Sequence, residues 1–140
     1  MTEITEVEKN KASKWFLSLR NEIVAAFEEL EQSHFKGPFS ELNPGKFEVN
    51  ETKREEKSGV DAGGGLMSVM RNGRVFEKVG VNVSTVYGNL NEAAQHSMAE
   101  RLGIPEMRDD PKFWASGISL VAHVRNPNCP AVHMLSLIHI

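Results

Sequence analysis

Ser119, His123 and His133 are the side chains of this 140-residue chain best suited to chemistry. Imidazoles titrate near neutrality, so each histidine can move a proton or, when neutral, ligate a divalent cation. Ser119 offers a hydroxyl to a polar ligand. Their spacing restricts what they can do together. In an extended segment, Ser119, Val121, His123 and Arg125 share one face, while Ile118, Leu120, Ala122 and Val124 share the other. The apolar set suits a core and the polar row suits a ligand. On one strand Ser119 and His123 stand about 13 Å apart, too far for a nucleophile and its base. The chain also lacks a G-x-S-x-G elbow. A second segment after Pro130 carries His133, and the two histidines can meet as metal ligands where their strands pair. Two imidazoles do not close a metal site. His96 is a third histidine with no fixed relation to them, and a metal-dependent hydrolase built on all three would lack a carboxylate base. Arg125 precedes Asn126-Pro127 and is assigned no role. Cys129 shows no pattern that would make its thiol reactive.

The elements that must position these groups follow from periodicity. Trp15, Leu19, Ile23 and Phe27 recur every four residues, with Phe16, Val24 and Leu30 widening the stripe, so 6–33 is predicted to be an amphipathic helix ended by Gly37-Pro38. Glu28, Glu29 and Glu31 sit near its C-terminus, where the helix dipole disfavours them. After Pro44-Gly45, Phe47 and Val49 alternate with polar residues, which predicts a strand with one wet face. The mixed charges of Lys53 to Lys57 predict a solvated surface or loop. Gly63-Gly64-Gly65 permits tight turning or close backbone approach to a ligand, without the pattern of a phosphate loop. Asn72-Gly73 between two strand-like runs predicts a hairpin in which both residues accept positive φ. Gly80 is expected to break the run before Val81 to Tyr87. Helix 91–102 is predicted with Asn91 as cap and Gly103 as stop, followed by a polar loop over 105–111. Consecutive strands without intervening helices predict an α+β fold with an antiparallel sheet flanked by helices.

Composition sets outer bounds. A length of 140 residues suits one domain, and the 40% hydrophobic and 25% charged fractions are ordinary for a globular protein. The net charge of -3 argues against a general nucleic-acid binder. No apolar run is long enough to span a membrane. A single cysteine and an acidic N-terminus lacking a signal pattern predict a cytoplasmic protein.

Three stretches carry a more specific signal: Gly63-Gly64-Gly65, the run Ser68 to Ser84 containing Val-Phe-Glu-Lys-Val-Gly-Val, and Gly117 to His123 continuing as His123-x-x-Asn-Pro-x-x-Pro-x-x-His133. In this order, across most of 12–134, the chain resembles the oxygen-dependent coproporphyrinogen III oxidase family. The resemblance implies oxidative decarboxylation of two propionates of coproporphyrinogen III to vinyl groups, giving protoporphyrinogen IX in haem biosynthesis. Molecular oxygen would be the co-substrate, with no organic cofactor, because the electron-rich tetrapyrrole supplies the electrons. It implies a homodimer, Ser119 as a substrate-binding residue, His133 as the catalytic proton donor, and His123 with His133 as ligands of a divalent metal ion. Arg54 lacks the Trp that the family commonly has two residues before it, since Thr52 stands there. After His133 the family continues with Asn-x-Arg for the substrate, whereas this chain reads Met134 to Ile140. The expectation is therefore an N-terminal part of one family domain over 1–134, itself inactive, with a non-native tail over 135–140. A tetrapyrrole-binding chain without catalysis is the alternative. Resequencing the locus checks the tail: reads should run from His133 into Asn-x-Arg, and a native stop after Ile140 would contradict it.

Overall fold

The computed structural model describes residues 4–103 and 109–139. They form two helices, α1 (Glu6–Ser33) and α2 (Glu92–Leu102), and five strands. The strands are β1 (Phe47–Glu55), β2 (Asp61–Arg71), β3 (Phe76–Asn89), β4 (Lys112–Val124) and β5 (Val132–His139). Each strand pairs antiparallel with the next, in the order β1-β2-β3-β4-β5. This is the predicted α+β arrangement. The predicted polar loop over 105–111 falls partly on 104–108, outside the described residues.

α1 starts at a capping box, in which the Thr5 side chain accepts from the Glu8 backbone N–H and the Glu8 carboxylate accepts from Thr5 N–H. It lies over β3 and β4. Phe16 is fully buried, and Leu19, Ile23, Val24 and Phe27 pack on the core, but Trp15 and Leu30 are about half exposed. The buried line of the helix instead runs through Phe16, Arg20 and Glu31. Two of these are charged, and an apolar stripe cannot reveal them. Arg20 Nε donates to Ser68 Oγ at 2.9 Å, while its Nη1 donates to Asn21 Oδ1. The helix ends at Ser33 with His34 as C-cap, before the Gly37-Pro38 stop.

The sheet presents a dry face to α1. Met70, Val79 and Ala122 form one cross-strand row on it, and Val81 with Leu120 another. β1 is wet on both faces apart from half-buried Phe47, unlike the one-sided strand expected, since α1 lies over β3 and β4 instead; Val49 is 49% exposed. Gly80 does not interrupt β3, which runs unbroken from Phe76 to Asn89. The three consecutive glycines serve the sheet itself. A Cβ at Gly63, Gly64 or Gly65 would collide with the backbone carbonyl of Thr85, Thr52 or Val83, respectively. Neighbouring strands approach closely here, and the same three glycines line a groove of about 660 Å³ beside α1.

The β2–β3 hairpin forms where expected, with a longer turn. Asn72 alone of the pair takes positive φ (54°), and the chain passes through 72–75 before β3 begins. Gly73 is needed for a different reason: its Cβ would strike the Glu31 carboxylate. Glu31 is fully buried and accepts hydrogen bonds from the backbone N–H groups of Gly45 (2.8 Å), Arg74, Val75 (2.9 Å) and Phe76 (2.8 Å). Burial alone would push its carboxyl up. The four donors outweigh that cost and hold it below the ordinary carboxylate value of 4.5. A group depressed on folding stabilises fully above its unfolded pKa, and that contribution is lost as pH falls through the folded value. Glu31→Gln should therefore lower unfolding free energy in urea by about 3 kcal/mol at pH 7, since an amide offers one acceptor and presents its own donors to N–H groups. The variant should also lose part of the wild-type decline in stability below about pH 4.5.

Candidate functional site

The two faces of the sheet differ in what covers them. Ile118, Leu120 and Ala122 of β4 are buried under α1, whereas Val121 and His123 are exposed and Ser119 is half-buried on the opposite side. The alternation predicted from the sequence is thus the one observed. β5 pairs with β4 so that Val121 opposes His133 and Ser119 opposes Leu135. Directly opposed residues share a face, so His133 joins Ser119 and His123 on the side away from α1. It is a diagonal neighbour of both, about 7–8 Å away across the strand pair. The register brings together the three side chains singled out by type. His96 is exposed on α2 and belongs to no such group.

This open face has further members that spacing along one strand could not supply. Asn82 opposes Ser119 on β3, and its Oδ1 accepts from Ser68 N–H at 3.2 Å. Lys78 opposes His123, and Arg71 of β2 opposes Lys78. The register shifts between Phe76 and Lys78, which leaves Glu77 as an extra, bulged residue. Without the bulge, Phe76 and Lys78 would share a face by strict alternation. With it, Phe76 is buried at 5% exposure and stacks on Phe27 (centroids 4.9 Å apart), while Lys78 stands in solvent. The Phe-Glu-Lys order carried the signal, as an apolar residue and a cation two positions apart in a strand with one dry face.

Arg71, Asn72, Glu77, Lys78 and His123 line a depression of about 330 Å³. A larger groove of about 660 Å³ includes Ser13, Phe16, Thr85 and Ser116 beside α1, and contains none of the three predicted site residues. Its hydroxyls satisfy one another, with Thr85 bonded to both Ser13 and Ser116. The larger groove is also lined by Glu51, Lys53, Arg54, Glu55 and Asp61, but by no histidine.

Arg125 is occupied structurally. Its Nε donates to Gly73 O at 2.6 Å and its guanidinium lies over the Phe39 ring. Cys129 is free and exposed. Among the described residues, no group of three or more His, Cys, Asp or Glu side chains is placed to hold a metal ion. His123 and His133 do not complete a site by themselves, and Lys78 puts a cation opposite His123. No helix among the described residues is long and apolar enough to cross a membrane.

A family profile described as Coproporphyrinogen III oxidase matches residues 11–137. A curated relative from Rickettsia bellii (strain RML369-C), named oxygen-dependent coproporphyrinogen-III oxidase, is 46% identical over 121 residues, covering 86% of this chain and 38% of the relative. The proteins of the same name from Rickettsia felis and Rickettsia rickettsii (strain Sheila Smith) are 43% and 41% identical over 127 residues, covering 89% of this chain and 40% of theirs. The chain thus spans about two fifths of the length of the curated relatives it matches.

The β4–β5 register is what unites the three residues, and it can be tested directly. Opposed positions lie within disulfide reach, whereas diagonal ones lie beyond it. In a Cys129→Ser background, Val121→Cys with His133→Cys should oxidise to an intramolecular disulfide, read as a mass loss of two hydrogens. Ser119→Cys with His133→Cys should remain reduced under the same conditions, and the reverse result would refute the register.

Proposed function

The chain belongs to the coproporphyrinogen III oxidase family, and from that premise we propose that its open sheet face is part of a site for oxygen-dependent oxidative decarboxylation of coproporphyrinogen III. The observation that carries this reading is the convergence of Ser119, His123 and His133 on one accessible face. Each propionate would lose CO2 and one proton from the carbon next to the ring. The two electrons released would reduce O2, which takes up two protons to become H2O2. Two such events leave two vinyl groups, giving protoporphyrinogen IX. The tetrapyrrole is the reductant, so the chain need supply only orientation and proton transfer.

In this scheme Ser119 holds the substrate by hydrogen bonding through its hydroxyl. His133 exchanges a proton with the substrate, and its exposed ring leaves it free to do so. Gly80 favours a flat ligand lying over this face. It sits between Val69 and Val121 across the strands, and a Cβ there would meet nothing within 4 Å. A glycine in mid-strand with open space above it suits close approach of a ring system. A divalent metal at His123 and His133 would need ligands beyond the described residues, so no step is routed through one. The reading also carries a homodimer and a cytoplasmic setting, with which the free Cys129 agrees.

The test supplies anaerobically prepared coproporphyrinogen III under air and measures vinyl product. In a protein of full family length carrying this segment, His133→Gln should lower kcat by about 10²-fold or more while changing KM little. Ser119→Ala should instead raise KM. An unchanged kcat for the His133 variant would overturn its assignment. Turnover by the 140-residue chain alone would overturn its expected inactivity.

A further inference from the structure

We infer that Arg71, Lys78 and His123 form a carboxylate-binding subsite at one end of the open face, which anchors an acidic side chain of a ring ligand lying over Gly80. The inference rests on the functional reading above for the ring, and on the cross-strand row itself for the carboxylate.

The three residues come from three adjacent strands. Arg71 opposes Lys78 and Lys78 opposes His123, so their side chains emerge side by side on the same face. Two like charges directly opposed across strands destabilise a sheet unless something compensates. Among the described residues no ion pair engages Arg71 or Lys78, and neither donates a side-chain hydrogen bond within the chain. Their neighbouring cations behave otherwise: Arg74 is bonded to Leu42 O and Arg125 to Gly73 O. Among the described residues Glu77 is the one acid lining the depression, and it forms no ion pair with either cation.

The placement of Lys78 depends on a structural device. The bulge at Glu77 breaks the alternation, so that Phe76 enters the core and Lys78 emerges beside His123. Bulges of this kind re-aim side chains and occur next to functional sites. The depression of about 330 Å³ is large enough for a carboxylate and its short alkyl arm. Arg71 offers a planar fork of donors and Lys78 a compact charge, a combination suited to a carboxylate and unsuited to a cation. The row ends one residue pair from Gly80, where the face is bare. An acid on the row therefore positions its ring over Gly80, within reach of Val121 and His133.

Two titrations test the subsite separately from the ring site. In the first, the 140-residue chain is followed by NMR while sodium propionate is added, with propanamide and sodium chloride as controls. Side-chain N–H signals of Arg71 and Lys78 should shift with propionate and remain unmoved by propanamide. Shifts no larger than those given by chloride would overturn the subsite, whatever the ring ligand proves to be.

In the second, the stable tetracarboxylate coproporphyrin III is titrated by fluorescence, with etioporphyrin as its carboxylate-free counterpart. Arg71→Gln with Lys78→Gln should weaken coproporphyrin binding about tenfold, flatten its salt dependence and leave etioporphyrin binding unchanged. Equal coproporphyrin affinity in wild type and the double variant would overturn the subsite and leave the functional reading standing. Gly80→Val should fold, because the space is open, and should lose porphyrin binding while keeping the propionate shifts. Propionate shifts in wild type with no binding of either porphyrin would overturn the ring site and support the carboxylate subsite.

Discussion

One buried carboxylate ties this structure together. Glu31 lies in the last turn of α1, where its own helix dipole opposes a negative charge, and it is relieved by four backbone N–H groups from outside the helix. Those donors come from the loop that follows α1 and from the turn between β2 and β3. The helix, the loop and the hairpin are thereby locked to one point. Gly73 lets the turn approach that closely. Arg74 reaches back from the same turn to Leu42 O, and Arg125 reaches across from beyond β4 to Gly73 O. Hydrogen bonds to a buried ionised acceptor are among the stronger ones available to a fold, and removing the acceptor leaves several donors without a partner.

The consequences extend to the other side of the sheet. With the turn held by Glu31, Phe76 is drawn into the core against Phe27. The chain must then accommodate one extra residue, Glu77, before it resumes its pairing with β4. That bulge brings Lys78 out beside His123. A carboxylate on the covered side of the sheet is thus connected, through Phe76 and the bulged Glu77, to the cation on the open side. The link is geometric and short, running through Phe76, Glu77 and Lys78.

The open face is a property of pairing more than of any single strand. Ser119 and His123 are brought to it by the alternation of β4, while His133 reaches it through the register of β5. Lys78 and Arg71 extend the same face across two more strands. Its chemistry is a polar and cationic border around a bare centre at Gly80. On the proposed reading, such a surface would orient an acidic ring ligand and exchange protons with it.

Much of this was legible in the residues. The limits of α1, the antiparallel order of the strands, the hairpin at Asn72 and the two faces of β4 all follow from local periodicity and turn chemistry, which act over a few residues. The resemblance carried by Val75 to Val81 and by His123 to His133 pointed to the family. Other features depended on partners far away in the chain. Helical spacing counted Trp15 into the buried stripe and gave no place there to Arg20 and Glu31, because burial of a charge depends on what stands opposite it: Ser68 in one case and the turn at 74–76 in the other. Glycine at 80 looked like a break, yet neighbouring strands on both sides held it extended. The sequence by itself determined most of the elements, though not the continuity of β3 through Gly80, and named Ser119, His123 and His133. Only the tertiary structure decided that these three share a face with Lys78 and Arg71, because cross-strand register and a one-residue bulge are set by long-range contacts that no local spacing encodes.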